Sequence, residues 1–282
     1  MKKIFTSLFV IFMFLFLPLF VKAEDTGSVM YQDLYVKDNG DVLVKEAIKL
    51  NGEYNGFELE LVYKYFDENE IYSADSLSLV KVCEATGNKF DLFNNVSNCF
   101  TEVKSAEVGD SRVYIYSDYD GFKKIKMYNP SSSFSGYFYV EYVLKNVVVK
   151  HNDVAELRLN ILDDSYREYT NDFEMRIHLP SKDSDFRIWG HGPLFGETKR
   201  ENDDTGIITV TDLSSNTAID VRMAFNKSLV PNSKKTTNKD MLNTIVEEET
   251  ALANTANEER EEAKEQLELE QLKAERKRTI AM

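Results

Sequence analysis

Apolar and polar residues alternate along much of the chain between residues 29 and 225. In segment 56–65, GFELELVYKY, the apolar Phe57, Leu59 and Leu61 fall on one face and charged residues on the other. This period of two is typical of an antiparallel strand with one buried face. Together with a β-forming run at 135–150, the pattern predicts further strands at 77–82, 154–161, 173–179, 186–189, 206–210 and 219–225. Many short strands separated by Gly, Asn, Asp and Ser predict an all-β fold, an antiparallel β-sandwich of Ig-like or jelly-roll-like type.

Two dipeptides within this pattern predict hairpin turns. Asn39-Gly40 joins the two arms of segment 29–50, and these residue types accept positive φ at both central positions of a type I′ turn. Asp120-Gly121 joins the arms of segment 112–128 in the same way. We therefore expect two β-hairpins, the first with a type I′ turn.

The start of the chain is not part of this β-rich region. Residues 1–23 combine the basic pair Lys2-Lys3, an apolar run and the ending Val-Lys-Ala. This order predicts a signal peptide cleaved after Ala23, with an uncleaved membrane anchor as the alternative. Residues 24–231 are then long enough for one large β-sandwich domain, or for two packed β-subdomains.

The composition changes after residue 231. Residues 232–239 are polar and without periodicity, which predicts a linker. Residues 240–278 are rich in Glu, Ala, Leu and Lys and contain no Gly or Pro, which predicts a charged helix. Asn238 or Asp240 could cap this helix. Its apolar residues do not keep a heptad, so a solvated single helix is favoured over a coiled coil.

The net charge of the chain limits the kinds of molecule that it can bind. It is −14, and removal of Lys2, Lys3 and Lys22 with the signal peptide changes it to −17. So acidic a surface repels phosphate backbones and anionic membrane surfaces. We therefore exclude nucleic acid as a partner.

Cys83 and Cys99 are the two cysteines of the chain. In an exported protein the oxidising compartment permits a disulfide between them. Two unpaired thiols are the alternative.

The sequence contains no recognisable set of catalytic, cofactor-binding or metal-binding residues. The three histidines, His151, His178 and His191, do not lie near a Gly-x-Ser-x-Gly elbow. The paired His and Cys spacings of zinc sites are also missing. We predict no catalytic residue, no cofactor and no metal ligand.

Segment 189–196, WGHGPLFG, is the most unusual local sequence, and we call it the 189–196 loop. Three Gly and a Pro predict a rigid backbone with special φ values. Trp189, His191, Pro193 and Phe195 are candidates for a recognition surface at one end of the sandwich. The competing interpretation is a structural corner in which Trp189 caps the core.

Several of these segments together resemble the sequence of a known protein family. They are residues 142–157 (YVLKNVVVKHNDVAEL), the strand ending in His178-Leu179-Pro180, the 189–196 loop, the turn Asp38-Asn39-Gly40-Asp41 and the tail residues Asn257-Glu258-Glu259-Arg260. Over residues 24–265 the chain resembles the bacterial predicted membrane proteins that contain domain of unknown function 2207. The resemblance implies an extracytoplasmic β-domain that is normally followed by transmembrane helices, and no assigned activity. It also implies a membrane link through the N-terminal segment or through a downstream helix.

These observations favour a non-enzymatic binding module that is secreted or lies at the outer face of the cytoplasmic membrane. Its expected partner is a cell-envelope component or a membrane protein. One alternative is an envelope carbohydrate hydrolase with dispersed carboxylates, which predicts a cleft where two carboxylates face each other and one has a raised pKa. The other alternative is a stalk or assembly protein that acts through the helical tail.

Overall fold

The computed structural model of the chain describes residues 27–64, 70–89, 91–132, 134–163 and 165–280. The predicted signal peptide, residues 1–23, lies outside this part of the chain. The strands are β1 Ser28–Val36, β2 Val42–Lys49, β3 Gly56–Val62, β4 Ser76–Ala85, β5 Val96–Ser97, β6 Thr101–Glu102, β7 Val113–Tyr119, β8 Phe122–Tyr128, β9 Tyr137–Lys145, β10 Val149–Lys150, β11 Ala155–Leu162, β12 Thr170–His178, β13 Arg187–His191, β14 Glu197–Arg200, β15 Thr205–Leu213, β16 Ile219–Phe225 and β17 Lys235–Thr236. The helices are α1 Leu242–Ile280 and short 3-10 helices at Glu70–Tyr72, Leu92–Asn94 and Lys227–Leu229.

The strands form three sheets. The largest has eight strands in the order β14-β15-β12-β1-β2-β9-β4-β5, and the others are β13-β16-β11-β10-β17 and β3-β8-β7-β6. Most neighbours are antiparallel, but β1 pairs with β12, β6 with β7 and β10 with β17 in parallel. The prediction of an all-β sandwich is confirmed. Purely antiparallel pairing is wrong for these three pairs, because long connections rather than tight turns bring their strands together.

The apolar faces of the three sheets meet in one contiguous core. Phe138 of β9, an inner strand of the eight-stranded sheet, has its ring 6.2 Å from that of Phe57 in β3. Leu157 of β11 and Met223 of β16 bring the five-stranded sheet into the same apolar cluster. The eight-stranded sheet thus forms one layer of the sandwich, and the two smaller sheets form the other.

The first hairpin forms as predicted, but its turn is not type I′. Gly40 has a φ of 81°, whereas the φ of Asn39 is not positive. The N–H of Gly40 donates to the carbonyl oxygen of Lys37 at 3.0 Å, and the N–H of Lys37 donates to that of Asp41 at 2.9 Å. This is a type I turn followed by a left-handed glycine, the three-residue hairpin form. The side-chain oxygen of Asn39 accepts from the N–H of Asp41, a local bond that favours this turn.

Residues 232–239, predicted as a linker, are part of the β structure. They contain β17, which pairs in parallel with β10. Ser233 is buried, and its hydroxyl donates to the carbonyl oxygen of Val148 at 2.8 Å. Ser233 and the backbone of β17 thus bond to the fold, whereas most of the other side chains of this segment are exposed.

Helix α1 begins at Leu242, close to the predicted position, but neither Asn238 nor Asp240 caps it. The carboxylate of Asp153, in the turn before β11, accepts hydrogen bonds from the N–H groups of Met241 at 2.8 Å and Leu242 at 3.1 Å. Burial raises the pKa of Asp153, but these hydrogen bonds outweigh burial and hold the pKa below its ordinary value. An ionised side chain from a distant turn therefore caps the helix.

Cys83 and Cys99 are joined by a disulfide in the structure. Cys83 is buried in β4 of the eight-stranded sheet. Cys99 lies between β5 and β6, and β6 is an end strand of the four-stranded sheet. The disulfide thus fixes to β4 the segment in which the chain passes from the eight-stranded sheet to the four-stranded sheet.

Candidate functional site

A cluster of buried charged side chains lies on the outer face of the five-stranded sheet, beneath α1. Arg222 of β16 is 3 % exposed, and alternation places it on the face opposite Val221 and Met223 of the core. Its Nε donates to Oε1 of Glu156 in β11 at 2.6 Å, and its Nη1 donates to Oε1 of Glu249 in α1 at 3.0 Å. Both glutamates are buried. The Arg222 Nη1 also donates to Oε2 of the exposed Glu248 at 2.7 Å. One arginine therefore joins carboxylates from two different elements, and we call this group the Arg222 cluster.

Histidine and tyrosine side chains complete the Arg222 cluster. His151 Nε2 lies 2.9 Å from Oε2 of Glu156, and the Tyr72 hydroxyl donates to the same oxygen at 3.0 Å. His191 Nε2 lies 3.1 Å from Oε2 of Glu249. Burial raises the pKa of both glutamates, but the histidines and the arginine outweigh it and hold each pKa below its ordinary value. Each carboxylate oxygen has a partner, so the cluster attaches α1 to the sheet and leaves no carboxylate free for chemistry.

The four predicted recognition residues do not form one surface. Some contact α1 from below, and others lie nearer to the solvent. Trp189 belongs to a small apolar cluster with Ile245 of α1, separate from the main core. His191 contacts the Arg222 cluster. Pro193 is half-buried, whereas Phe195 is 60 % exposed. The structure therefore gives Trp189 and His191 a place under the helix and leaves Phe195 available to a partner.

The glycines of the 189–196 loop do not have the special φ values that we expected. None of Gly190, Gly192 and Gly196 has a positive φ. A Cβ on Gly190 would lie 2.5 Å from the Thr198 hydroxyl and 3.1 Å from the Ile208 side chain. Gly190 is thus required for the close approach of β13 to β14 and β15 rather than for a turn.

A groove of about 740 Å³ lies between α1 and the segment formed by β13, the 189–196 loop and β14, and we call it the α1 groove. Arg260 of α1 donates from Nε to the carbonyl oxygen of Leu194 at 2.6 Å, which ties the loop to the helix. The charged side chains that line the groove have both signs. Its lining includes Pro193, Leu194, Glu197, Lys199, Ile208, Val210, Leu252, Ala256, Glu259 and Arg260.

A second cavity, of about 410 Å³, is lined by residues of β3, β11 and the segment that follows β11. Glu46 of β2 and Tyr142 of β9 also line it, and we call it the Glu46 cavity. Its apolar lining includes Phe57, Leu59, Leu61, Leu162 and the ring of Tyr166. Its charged lining residues are Glu46, Glu58, Glu60, Asp163, Arg167 and Glu168.

Glu46 is 2 % exposed and has no charged partner. It lies opposite Gln32 of β1 in the register of the eight-stranded sheet. The Oε1 atoms of both side chains are buried without a hydrogen-bond partner among the described residues. Burial raises the pKa of Glu46 to about 7, although side-chain hydrogen bonds from Gln32 and Tyr142 lower it. No cationic side chain of the described chain contributes to this pKa.

Glu46 is not among the candidate residues that the sequence predicts. The signal that could have found it is position, because Glu46 falls on the same face of β2 as Val44 and Ile48. An acidic residue in phase with the apolar residues of a strand indicates a buried carboxyl.

The sequence matches the family model described as "Predicted membrane protein (DUF2207) N-terminal domain" over residues 29–225. The chain belongs to this family. Residue 225 is also the last residue of β16, so the matched DUF2207 segment contains β1 to β16 and ends before α1. In the described part of the chain, no helix combines the length and apolar character needed to cross a membrane. The described residues also contain no group of three or more His, Cys, Asp or Glu side chains arranged to hold a metal ion.

No curated protein matches this DUF2207 chain. Among solved structures, the M1 zinc metallopeptidase from Deinococcus radiodurans aligns with a TM-score of 0.33 and 10% identity, over 69% of this chain and 42% of that chain. A mutant of the enzyme from the same organism, bound to a Tyr-Ser-Ala substrate, gives a TM-score of 0.32 and 8% identity over the same shares. The DUF2207 chain thus spans less than half the length of these metallopeptidases. Structural similarity at this level supports no conclusion about the fold or activity of the DUF2207 chain.

Proposed function

We propose that this chain is a non-enzymatic binding module at the outer face of the membrane, and that the α1 groove holds an extended segment of an envelope protein. The observation that carries this proposal is a groove between α1 and the end strands of two sheets, β13 and β14. An end strand has one row of backbone N–H and C=O groups without a neighbouring strand. An extended peptide can bond to such a row and place alternate side chains in the groove.

The side chains around the groove also fit a peptide. Leu252 is 52 % exposed and Phe195 is 60 % exposed, and large exposed apolar side chains beside a groove are typical of protein-binding surfaces. Glu197 and Lys199 on β14 supply both signs of charge. A peptide with an apolar side chain between polar residues complements this arrangement better than a lipid chain would.

The groove is held open before any partner binds. The Arg222 cluster fixes one part of α1, and the hydrogen bond from Arg260 to Leu194 fixes the helix near the loop. A binding surface that is already ordered loses less conformational entropy when it binds. This preorganisation favours recognition over a purely structural corner.

Selection from a library of short random peptides, displayed against the folded full chain, tests this proposal. Peptides enriched by the wild type should lose at least about tenfold in affinity with Leu252→Asp, because a charge replaces an apolar contact in the groove. Leu269→Asp is the matched control, since Leu269 is 54 % exposed on the same helix beyond the groove. Circular dichroism checks that both variants are folded. The proposal fails if no peptide is enriched, or if the peptides bind both variants equally well.

The carbohydrate hydrolase is supported less well. Glu46 has the raised pKa that this hypothesis predicts, but the side chain is 2 % exposed. A polysaccharide cannot reach so buried a carboxyl unless the sheets move apart. The geometry of Glu46 therefore favours a small ligand over cleavage of a polymer.

A further inference from the structure

We infer that the Glu46 cavity binds the ammonium group of a small alkylamine, with Glu46 as the charged hydrogen-bond acceptor and the apolar residues of β3 and β11 around the aliphatic part. This site is separate from the α1 groove.

A buried acceptor of this cavity lacks a donor. It is Oε1 of Glu46, whose side chain is 2 % exposed and lines the cavity. Buried polar atoms in folded proteins almost always have a partner, so this oxygen indicates a missing donor. A primary ammonium brings three N–H donors and no acceptor, and it therefore supplies what the Glu46 oxygen lacks.

The carboxyl of Glu46 also lacks a positive charge. Gln32 and Tyr142 both donate hydrogen bonds to it, which favours the ionised form, while burial opposes ionisation. A cation bound next to Glu46 compensates the buried negative charge as the arginine does in the Arg222 cluster. A neutral ligand would leave that charge unpaired.

The walls of the cavity fit an alkyl group that carries an ammonium. Phe57, Tyr142 and Tyr166 line it, and the faces of aromatic rings attract cations. Leu59 and Leu162 also line it and offer apolar surface to a chain of methylene groups. The cavity thus combines an acidic end, aromatic rings and aliphatic surface in one space.

The remaining charges around the cavity favour cations over anions. Glu58 and Glu168 are exposed, and Asp163 is half-buried. Lys124 forms ion pairs with both Glu58 and Glu60 and partly offsets them. The guanidinium of Arg167 is the one basic group in the lining, against five carboxyl groups. The surrounding potential is therefore negative, which concentrates amines and repels phosphates and carboxylates.

Isothermal titration calorimetry on the folded full chain at pH 8 tests the inference. Putrescine represents a free amine, and Nα-acetyl-lysine methylamide represents a lysine side chain of a protein. At least one of them should bind, and it should bind more tightly than tetramethylammonium, which has the charge without an N–H donor. Glu46→Gln should weaken the binding by at least about tenfold, since it removes a charged hydrogen-bond acceptor.

Glu247→Gln is the matched control. It removes one carboxylate from the exposed side of α1, away from the cavity lining, and should leave the affinity unchanged. If Glu46→Gln does not fold, the wild type is compared at pH 5, where Glu46 is protonated, and at pH 8, and binding should be lost at pH 5. Three results would overturn the inference: no binding of either amine, equal binding to Glu46→Gln, or the same affinity at both pH values.

Discussion

Removal of the Arg222 guanidinium takes the arginine away from two buried carboxylates, Glu156 and Glu249. Arg222→Met keeps the length of the side chain and removes its charge. We expect the free energy of unfolding to fall by about 3–5 kcal/mol, because an unpaired buried charge costs more than the ion pair contributes. Urea unfolding measures this change.

Arg187→Met provides the control for this prediction. Arg187 is exposed on β13, the neighbouring strand of the same sheet. The same substitution there should change the free energy of unfolding by less than about 0.5 kcal/mol. Equal losses for the two variants would show that the Arg222 cluster does not hold α1.

Glu46 makes stability depend on pH in a predictable direction. The pKa of Glu46 is about 7 in the fold and 4.5 without the fold. Between these values the folded chain keeps a proton that the unfolded chain releases, so stability falls as pH rises from about 4.5 to about 7. The difference between the two pKa values corresponds to a loss of about 3 kcal/mol in the free energy of unfolding.

Glu46→Gln removes this dependence. We compare the free energy of unfolding of the variant with that of the wild type at pH 4 and at pH 8. Relative to the wild type, the variant should be about 3 kcal/mol more favoured at pH 8 than at pH 4. Urea unfolding at both pH values measures it, and other titrating groups cancel in the difference. A constant difference would mean that Glu46 has an ordinary pKa in the fold.

These residues also show the limit of reading a sequence one strand at a time. Alternation along β16 places Arg222 on the face away from the core, where a charged residue is expected to be solvated. It is buried because α1 covers that face, and nothing near Arg222 in the sequence indicates the helix. Glu46 could have been found from its own strand, because it interrupts an apolar face.

At the scale of elements, the two halves of α1 should contribute unequally to stability. A chain that ends after residue 260 loses residues whose described side chains are exposed, and its free energy of unfolding should change by less than about 0.5 kcal/mol. A chain that ends after residue 240 also loses Ile245 and Glu249, which are buried. It should lose about 2–3 kcal/mol, because the burial of Ile245 and the hydrogen bonds from Arg222 to α1 are lost, while Glu156 still pairs with Arg222. Urea unfolding of both chains measures the contrast, and equal stabilities would contradict it.

Elements with a strong local pattern were predicted, and those determined by distant residues were not. The composition of residues 240–278 predicts α1, but its cap is Asp153, 88 residues before Met241 in the chain. Strand β14, Glu197–Arg200, was missed because its four residues are polar and exposed, so it shows no alternation. Strand β17 was missed because two polar residues pair with β10 only after the chain has folded back.

At the scale of the whole molecule, the Cys83–Cys99 disulfide should stabilise the sandwich. It closes a loop with a sequence separation of 16, which corresponds to about 3 kcal/mol in the chain-entropy model. Replacing both cysteines with alanine should lower the free energy of unfolding by about this amount. Mass measurement after alkylation, with and without reductant, checks the bond in the native protein. Two alkylated cysteines in the absence of reductant would contradict it.

The fold class followed from the sequence, whereas the order of the strands did not. Alternation shows that a segment is a strand with one buried face, and it contains no information on the neighbouring strand. The parallel pair β1–β12 joins Ser28 to Thr170, positions that only the packed core brings together. The same holds for the two cavities, because each is lined by elements from distant parts of the chain.

The exposed half of α1 has a mechanical consequence. Residues 261–280 extend about 30 Å beyond Arg260 if the helix is straight. A sideways load at the far end acts through this lever arm, and the attachment nearest to the load is the single hydrogen bond from Arg260 to Leu194. That bond breaks before the several bonds of the Arg222 cluster. A tether that pulls on the end of α1 would therefore open the α1 groove first and leave the β-sandwich closed.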